Sequence, residues 1–314
     1  PDNVGQRLFV SNDLSGRVVS GVTTPASDVS NLLIIHYEFE SSNDIGYNSA
    51  TSTIDATAGG VGGVSTIDTS SKVGTGSLKL TADPNFLSWF KINTSITLNN
   101  YTTITFWFKW DIATSYSNPF RGYEKLLYYK NGTNGSRFLI SRPTHTNPAP
   151  EPTFLNFLVQ STGKTTVQKY TDNIIYNNVW YHVAWVINNV DNDAWKVYIN
   201  NALITPASGS DTNTQNQLDI TNTYNTNYFG RHADQEIDHF DGNIDDFRIY
   251  TSSTSAGALT AAQIAELYNS SGTPSSTISE NTAGVTSTGT LGTDLVSTWR
   301  VPTDASDTMY YASD

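Results

Sequence analysis

The stretch VWYHVAWVINNVDNDAWKVYIN, residues 179–200, decides the fold class of this chain. Its side chains alternate in character on both sides of the Asp191–Asp193 cluster, and a period of two places successive side chains on opposite faces of a β-strand. Asp and Asn favour turns between strands, so the stretch predicts a β-hairpin. One face of its first strand carries Tyr181, Val183, Trp185 and Ile187.

A second stretch, TTITFWFKW at residues 102–110, has the same period. The face that we expect in a core carries Ile104, Phe106, Phe108 and Trp110. From Leu32 onward, short runs with this pattern recur between turns rich in Asn, Gly, Asp and Ser, which is typical of a β-sandwich. The composition agrees, because 12% of the residues are aromatic and only 15% are charged, and aromatic side chains favour strands.

The sequence predicts one short helix, near the end of the strand-rich region. Thr260 and Gln263 have the spacing of a capping box, and Gly272 follows as a stop signal. Ile264, Leu267 and Tyr268 form one apolar stripe. We expect this helix to cover the edge of the sandwich.

Charge and composition exclude several classes of protein. The net charge is −12 and only 17 Lys and Arg residues are present, whereas nucleic acid binding needs clustered cations. The chain has no Cys, so it has no disulfide or thiolate metal site. No apolar run approaches the length of a membrane span. The chain begins at Pro1 without Met, which leaves removal of a leader open.

The pattern divides the chain into three parts. Residues 1–30 form an N-terminal arm, residues 31–272 the sandwich, and residues 273–314 a polar linker with a strand-containing extension. Strands are expected at Leu295–Val301 and Met309–Ala312. The two extensions are too small for a core of their own, so we expect them to pack on the sandwich or on another subunit.

Several motifs, taken in order, resemble one family. Residues 35–40 (IHYEFE) and 73–80 (VGTGSLKL) are similar to the opening of laminin G-like and pentraxin-like jelly rolls. Residues 180–201 are similar to the central hairpin of that family, and residues 240–250 (FDGNIDDFRIY) with the following helix to its closing segment. The resemblance to this laminin G-like, concanavalin A-like lectin/glucanase family implies an all-β fold, a two-sheet antiparallel jelly-roll sandwich with one short C-terminal helix.

The resemblance also implies a structural calcium ion at the sheet edge. It places the acidic ligand at Asp245, with oxygens from the end of the first strand, at Glu40, Asp44 or Asn48. Calcium takes six to eight oxygen ligands, and carboxylates are preferred. The residues themselves leave an alternative open, in which Asp245 and Asp246 cap turns or pair with Arg248 and Arg231.

Members of this family usually bind glycans or proteins, so the resemblance implies a non-catalytic module for glycan recognition or adhesion, extracellular or on a cell or virion surface. A sugar site needs an aromatic ring for the apolar sugar face and amides for the hydroxyl groups. Predicted loops, which often carry binding residues, supply these candidates: Tyr116, Asn118, Tyr123, Tyr224 and Asn227.

Two other functions stay open. The arms can complete a neighbour's sheet by strand addition, which predicts a homo-oligomeric decoration, fibre or spike subunit of a virion or cell-surface appendage. A glycoside hydrolase is a minor alternative, because Glu236, Asp238 and Asp241 resemble the Glu-x-Asp-x-x-Glu signature of sandwich glucanases. Asp241 in place of Glu, and the position before the closing strand, count against it.

Overall fold

The computed structural model describes residues 29–42, 45–51, 53–61, 65–83, 86–111, 123–143, 153–163, 166–172, 174–190, 195–205, 220–235, 237–272, 285–288 and 296–299. The chain divides into two units, one formed by Asp28–Pro274 and the other by Pro1–Ser27 with Ser275–Asp314.

The larger unit is built almost entirely from strands, as alternation of apolar and polar residues predicts. They are β1 (Leu33–Tyr37), β2 (Ala56–Val61), β3 (Thr66–Asp68), β4 (Ser77–Leu80), β5 (Ala82–Asp83), β6 (Phe86–Ile92), β7 (Ile96–Thr97), β8 (Tyr101–Trp110), β9 (Tyr123–Lys130), β10 (Arg137–Pro143), β11 (Asn156–Gln160), β12 (Val167–Tyr170), β13 (Trp180–Asn188), β14 (Trp195–Ile199), β15 (Ala202–Leu203), β16 (Thr223–Tyr224), β17 (Thr226–Phe229) and β18 (Gly242–Ser252). The helix α1 (Ala261–Gly272) and two 3-10 turns, Ser30–Leu32 and Ser255–Gly257, complete the unit.

The strands form two eight-stranded antiparallel sheets. Sheet A has the order β15-β14-β13-β8-β18-β4-β3, and β1 pairs with β18 on the same side as β4. Sheet B has the order β12-β11-β10-β9-β17-β6-β2, and β5 pairs with β6. The small pair β7–β16 lies outside both sheets. The predicted two-sheet antiparallel sandwich with one short helix is confirmed.

Aromatic side chains fill the space between the sheets. Trp185 of β13 lies with its ring centroid 5.3 Å from that of Phe157 in β11. Phe229 of β17 lies 4.5 Å from Phe247 of β18 in an edge-to-face arrangement. Each buried side chain of this size stabilises the fold by about 1.5–3 kcal/mol. The residues predicted to lie in the core of β8 are all buried, at Ile104, Phe106, Phe108 and Trp110.

The helix covers a sheet face and not the edge of the sandwich, so the predicted position was wrong. Ile264 of α1 belongs to one buried cluster with Ala184, Val186 and Tyr250 on the outer face of sheet A. Tyr268 stacks on Trp107 of β8 at 5.4 Å. The predicted capping box is confirmed: Thr260 N donates to Gln263 Oε1 at 2.8 Å, and Gln263 N donates to Thr260 Oγ1 at 3.3 Å.

Two β-bulges change which side chains face the core. In β9 the register shifts opposite Ile140 and Ser141, so that Leu126 and Leu127 are both buried in the core. In β18 the register shifts between Asp245 and Arg248, where Asp246 adopts a left-handed φ of 47°. A bulge adds one residue to a strand and reverses the alternation beyond it.

In the second unit the structure describes one antiparallel pair, β19 (Val285–Thr288) and β20 (Val296–Trp299). The strand β20 lies inside the predicted strand Leu295–Val301, whereas β19 lies in the stretch predicted as a linker. The predicted strand Met309–Ala312 lies outside the described residues. The packing of the extensions on the sandwich or on a neighbour stays a prediction.

Candidate functional site

Asp245 is buried on the outer side of sheet A, under the loop that joins β3 to β4. Its Oδ2 accepts hydrogen bonds from the backbone N–H groups of Lys72 at 2.7 Å and Val73 at 2.9 Å. Its Oδ1 is also buried. Burial raises the pKa of Asp245 to about 7, although the two backbone N–H groups act in the opposite direction. The carboxyl group therefore anchors a loop, as one of the two alternatives predicted.

Glu40 anchors the same loop from its exposed side. Its Oε2 accepts hydrogen bonds from Thr75 N at 2.6 Å and Thr75 Oγ1 at 2.9 Å. Gly74 makes this approach possible, because its φ is +58° and a Cβ there would overlap the Glu40 carboxylate. Two of the predicted calcium ligands thus hold one turn.

The predicted calcium ligand Asn48 has other hydrogen-bond partners. The Oδ1 of Asn48 already accepts hydrogen bonds from His36 N at 2.8 Å and Ala50 N at 3.1 Å. No group of three or more His, Asp or Glu side chains that could hold a metal ion occurs in the described part of the chain. Asp44 lies outside it. Calcium binding stays a prediction.

Asp246 forms an ion pair with Arg248, as the alternative to a calcium site predicted. The carboxylate Oδ1 lies 2.8 Å from Arg248 Nη2 and 2.8 Å from His36 Nε2. The other His36 ring nitrogen, Nδ1, lies 3.0 Å from Ser49 Oγ. This network ties the bulge of β18 to β1 and to the loop that follows it.

Two of the five predicted sugar-binding residues are core residues. Tyr224 is fully buried, packs edge-to-face on Phe138 at 4.8 Å and donates its hydroxyl to Ile220 O at 3.2 Å. Asn227 is also fully buried and donates Nδ2 to Tyr224 O at 2.9 Å. The prediction that these two lie on exposed loops was wrong, because β16 and β17 turn both side chains inward.

The other three predicted residues have different outcomes. Tyr116 and Asn118 lie outside the described residues. Tyr123 is 51% exposed at the start of β9. Because of the bulge at Leu126 and Leu127, Tyr123 shares the outer face of sheet B with Tyr128 and Lys125.

The outer face of sheet B carries partly exposed aromatic and cationic side chains beside a small buried apolar cluster that includes Leu139, Leu158 and Ala233. We call Trp89, Lys91, Tyr228 and Arg231 the Trp89 cluster. The Trp89 and Tyr228 rings lie 5.5 Å apart, edge to face. Both rings are partly exposed.

Gly59 sets the orientation of Trp89. It lies opposite Trp89 in the β2–β6 pair, and a Cβ at Gly59 would overlap the six-membered ring of the indole. The ring therefore lies against the backbone of β2, and its exposed part points away from the sheet. Two cations lie over the neighbouring Tyr228 ring, with Lys91 Nζ at 5.6 Å and Arg231 Cζ at 4.6 Å from its centroid.

A second group of rings lies toward the β12 edge of the same face. We call Tyr123, Phe154 and Tyr170 the Tyr123 cluster. The rings of Phe154 and Tyr170 lie 5.2 Å apart, edge to face. Burial, and secondly the nearby Tyr123 hydroxyl, raise the pKa of Tyr170. The Lys125 ammonium lies 5.4 Å from the Tyr123 ring centroid.

The loop of residues 231–238 lies on this face beside β9. His232 packs on Tyr128 at 4.6 Å. Asp234 pairs with Lys130 at 2.6 Å, and Asp238 pairs with Lys125 at 3.0 Å. These contacts fix the described part of the loop at both of its ends.

The hydrolase alternative depended on strand alternation at this loop. The described residues 231–235 and 237–241 are not in a strand, so alternation does not place Glu236 and Asp238 side by side, and that argument was wrong. Glu236 lies outside the described residues.

A cavity of about 260 Å³ lies at the sandwich edge, where β12 approaches β14 and β15. Its lining is mostly apolar, with Phe157, Trp195, Val197, Leu203 and Ile204. Tyr170 lines it as well, so this cavity borders the Tyr123 cluster.

The sequence contains a signal for the Trp89 cluster that loop-based reasoning does not use. In FLSWFKI, residues 86–92, Phe90 and Ile92 face the core, so Trp89 and Lys91 face the opposite side of β6. A Trp on the polar face of a strand is either covered by another element, as Trp107 is by α1, or partly exposed, as Trp89 is. Strand alternation could have identified this residue.

A family model described as the concanavalin A-like lectin/glucanases superfamily matches residues 87–265, which is more than half of the chain. No curated protein matches.

Solved structures with the same fold include domain 4 of AbnA, a GH43 extracellular arabinanase from Geobacillus stearothermophilus, in complex with arabinotriose. It is 20% identical with a TM-score of 0.51, over 75% of this chain and 98% of that one. The binding domain of Paraclostridial Mosquitocidal Protein 1 is 16% identical with a TM-score of 0.53, over 77% of this chain but only 53% of that one. These likenesses show the fold.

Proposed function

Since the chain belongs to the concanavalin A-like lectin/glucanases superfamily, we propose that it is a non-catalytic module that recognises glycans through the outer face of sheet B. The observation that carries this proposal is the Trp89 cluster. A partly exposed indole held flat by Gly59 offers an apolar surface to a sugar ring, and Lys91 beside it offers a donor to sugar oxygens.

The neighbouring structures support a binding role. The arabinanase domain was solved with a bound arabinose oligosaccharide, and the mosquitocidal protein segment is named as a binding domain. A module of this kind acts where glycans are displayed, which is outside the cell or on a cell or virion surface. No helix in the described part of the chain is long and apolar enough to cross a membrane.

The test is a glycan array followed by calorimetry on the best ligand. We expect Trp89→Ala to weaken binding at least tenfold, which corresponds to about 1.4 kcal/mol. Gly59→Ala should also weaken binding, because its methyl group displaces the indole while the Trp remains. Tyr176, which is 47% exposed on the β12–β13 connection, provides the matched control, and Tyr176→Ala should bind like the wild type.

Two results would contradict the proposal. One is a wild-type chain that binds no glycan on the array. The other is a Trp89→Ala variant that is folded by circular dichroism and binds with unchanged affinity. A stable oligomer without glycan binding would favour the assembly function that the extensions suggest.

A further inference from the structure

The outer face of sheet B has two aromatic clusters and not one. They lie on either side of the loop 231–238, and both include partly exposed rings. Tyr228 of the Trp89 cluster pairs directly with Tyr128 of β9. Tyr123 lies on the same strand and on the same face as Tyr128, because the bulge at Leu126 and Leu127 compensates for their odd separation of five positions.

The register gives the separation of the two clusters. Tyr123 and Tyr128 pair with Pro143 and Leu139 of β10, which are four residues apart. A strand advances about 3.3 Å per residue, so the two tyrosines are about 13 Å apart along the strand. Tyr228 lies one strand further across, at about 5 Å from Tyr128. One sugar ring cannot touch both clusters, whereas several linked rings can.

Polar groups lie between the two clusters. Asp234 and Gln235 are exposed in the loop 231–238, and the partly exposed Lys130 pairs with Asp234. Gln168, which is partly exposed, lies two residues before Tyr170 of the Tyr123 cluster in β12. Side chains of these types hydrogen-bond sugar hydroxyl groups. A chain of sugars that leaves one cluster therefore meets hydrogen-bonding groups before it reaches the other.

We infer that the ligand is an internal segment of a linear polysaccharide, which occupies both aromatic clusters at once as two subsites of a single extended site. This inference rests on the proposed glycan function and specifies its ligand class. It excludes a site for a terminal monosaccharide. When the first subsite is occupied, binding at the second is intramolecular, so affinity rises with ligand length until the chain spans both.

The experiment measures affinity against ligand length. The probes are linear oligosaccharides from one to eight units, first of the arabinan series and then of whichever polymer the array selects, titrated calorimetrically into the full chain. We expect the affinity to rise at least tenfold between the disaccharide and the longest probes. It should then stop rising once both clusters are occupied, with one ligand per chain.

Single-cluster variants give the second readout. Tyr123→Ala should abolish the increase in affinity with oligosaccharide length. It should leave the affinity for the disaccharide unchanged, because we expect the disaccharide to bind at the Trp89 cluster. Trp89→Ala should weaken binding of the disaccharide as well as binding of the longer oligosaccharides. Tyr176→Ala should leave the whole length series unchanged.

Three outcomes are separable. If all lengths bind equally well, or if two ligands bind per chain at every length, the extended site is wrong while the glycan function stands. If Tyr123→Ala retains the full gain with length, the second subsite is not the Tyr123 cluster and the inference is overturned. If the wild type binds no glycan at all, the proposed function itself fails.

Discussion

At the scale of single residues, two buried groups on the outer side of sheet A have pKa values displaced in opposite directions. Burial raises the pKa of Asp245 to about 7 and lowers the pKa of His182 to about 4. His182 lies between Trp107 at 5.1 Å and Tyr268 at 5.7 Å. Both groups are therefore held in their neutral forms by the covering loop and helix.

The two groups affect stability with opposite signs. The unfolded chain releases the Asp245 proton near pH 3.8, so the stabilisation is full below that pH and is lost as pH rises through about 7. The unfolded chain protonates His182 near pH 6.5, so that stabilisation is full above pH 6.5 and is lost as pH falls toward 4. Each contribution changes the free energy of unfolding by about 1.4 kcal/mol per pH unit. Between pH 4 and 6.5 they cancel.

Single variants should reveal how each of the two groups makes the free energy of unfolding depend on pH. Relative to wild type, the free energy of unfolding of Asp245→Asn should rise by about 3 kcal/mol from pH 4 to 6.5, and that of His182→Phe should fall by about as much. Urea unfolding in the presence of chelator, at half-unit steps of pH, measures both.

The double variant is the control and should follow the wild type over this range. If the free energy of unfolding depends on pH in the same way for wild type and Asp245→Asn, then this carboxyl is ionised in the folded protein. Repeating the series with calcium tests the predicted cation, which would favour the ionised carboxylate and reduce the wild-type loss between pH 6.5 and 7.

Sequence reasoning identified Asp245 as a special position, but not its partners. The pattern around residues 240–250 resembles a family segment, and that resemblance indicates the residue type and the strand. The partners are backbone N–H groups about 170 positions away in the sequence. Backbone donors carry no residue-type signal, so no pattern could have revealed them.

At the scale of elements, a buried ion pair links β9 and β10 in the core at one end of the sandwich. Arg142 Nη2 lies 2.8 Å from Glu124 Oε2, and both side chains are almost wholly buried. The Arg142 guanidinium also faces the Trp110 ring of β8, in the opposite sheet. The ion pair therefore contributes to the packing of sheet B on sheet A.

Substitution of one partner of the ion pair should destabilise the fold far more than substitution of both partners. Glu124→Gln should lower the free energy of unfolding by about 3–5 kcal/mol, because the buried Arg142 charge then loses the carboxylate that lies 2.8 Å from its Nη2. The double substitution Glu124→Leu with Arg142→Met should recover most of that loss, as urea unfolding can measure.

The exposed pair of Lys130 and Asp234 is the matched control, and Asp234→Asn should cost less than about 1 kcal/mol. A double variant as unstable as the sum of both single variants would contradict a coupled pair.

The elements themselves were largely predictable, and the bulges were not. Strict alternation placed the core residues of β8, and the capping-box spacing placed α1. Leu126 and Leu127 are consecutive apolar residues that fit either face, so the sequence cannot indicate that both turn inward. The bulge depends on strand pairing with β10, and it decides that Tyr123 faces outward and Glu124 inward.

At the scale of the whole molecule, the sandwich should fold without the extensions. All strands of both sheets, the core and α1 lie within residues 28–274. A fragment of these residues should unfold in one cooperative transition and retain the aromatic near-ultraviolet circular dichroism of the core. Loss of that signal, or a broad transition, would show that the extensions complete the fold.

The topology of sheet A places the strand that is synthesised last in the middle of the sheet. Its middle strand β18 pairs with β8 on one side and with β1 and β4 on the other, yet it is the last strand of the sandwich to leave the ribosome. Until residue 252 has emerged, β8 has an unpaired edge and the Phe106 ring lacks its neighbour Phe247. Nascent chains stopped before β18 should therefore be aggregation-prone and depend on holding chaperones, whereas chains released after α1 should fold without them.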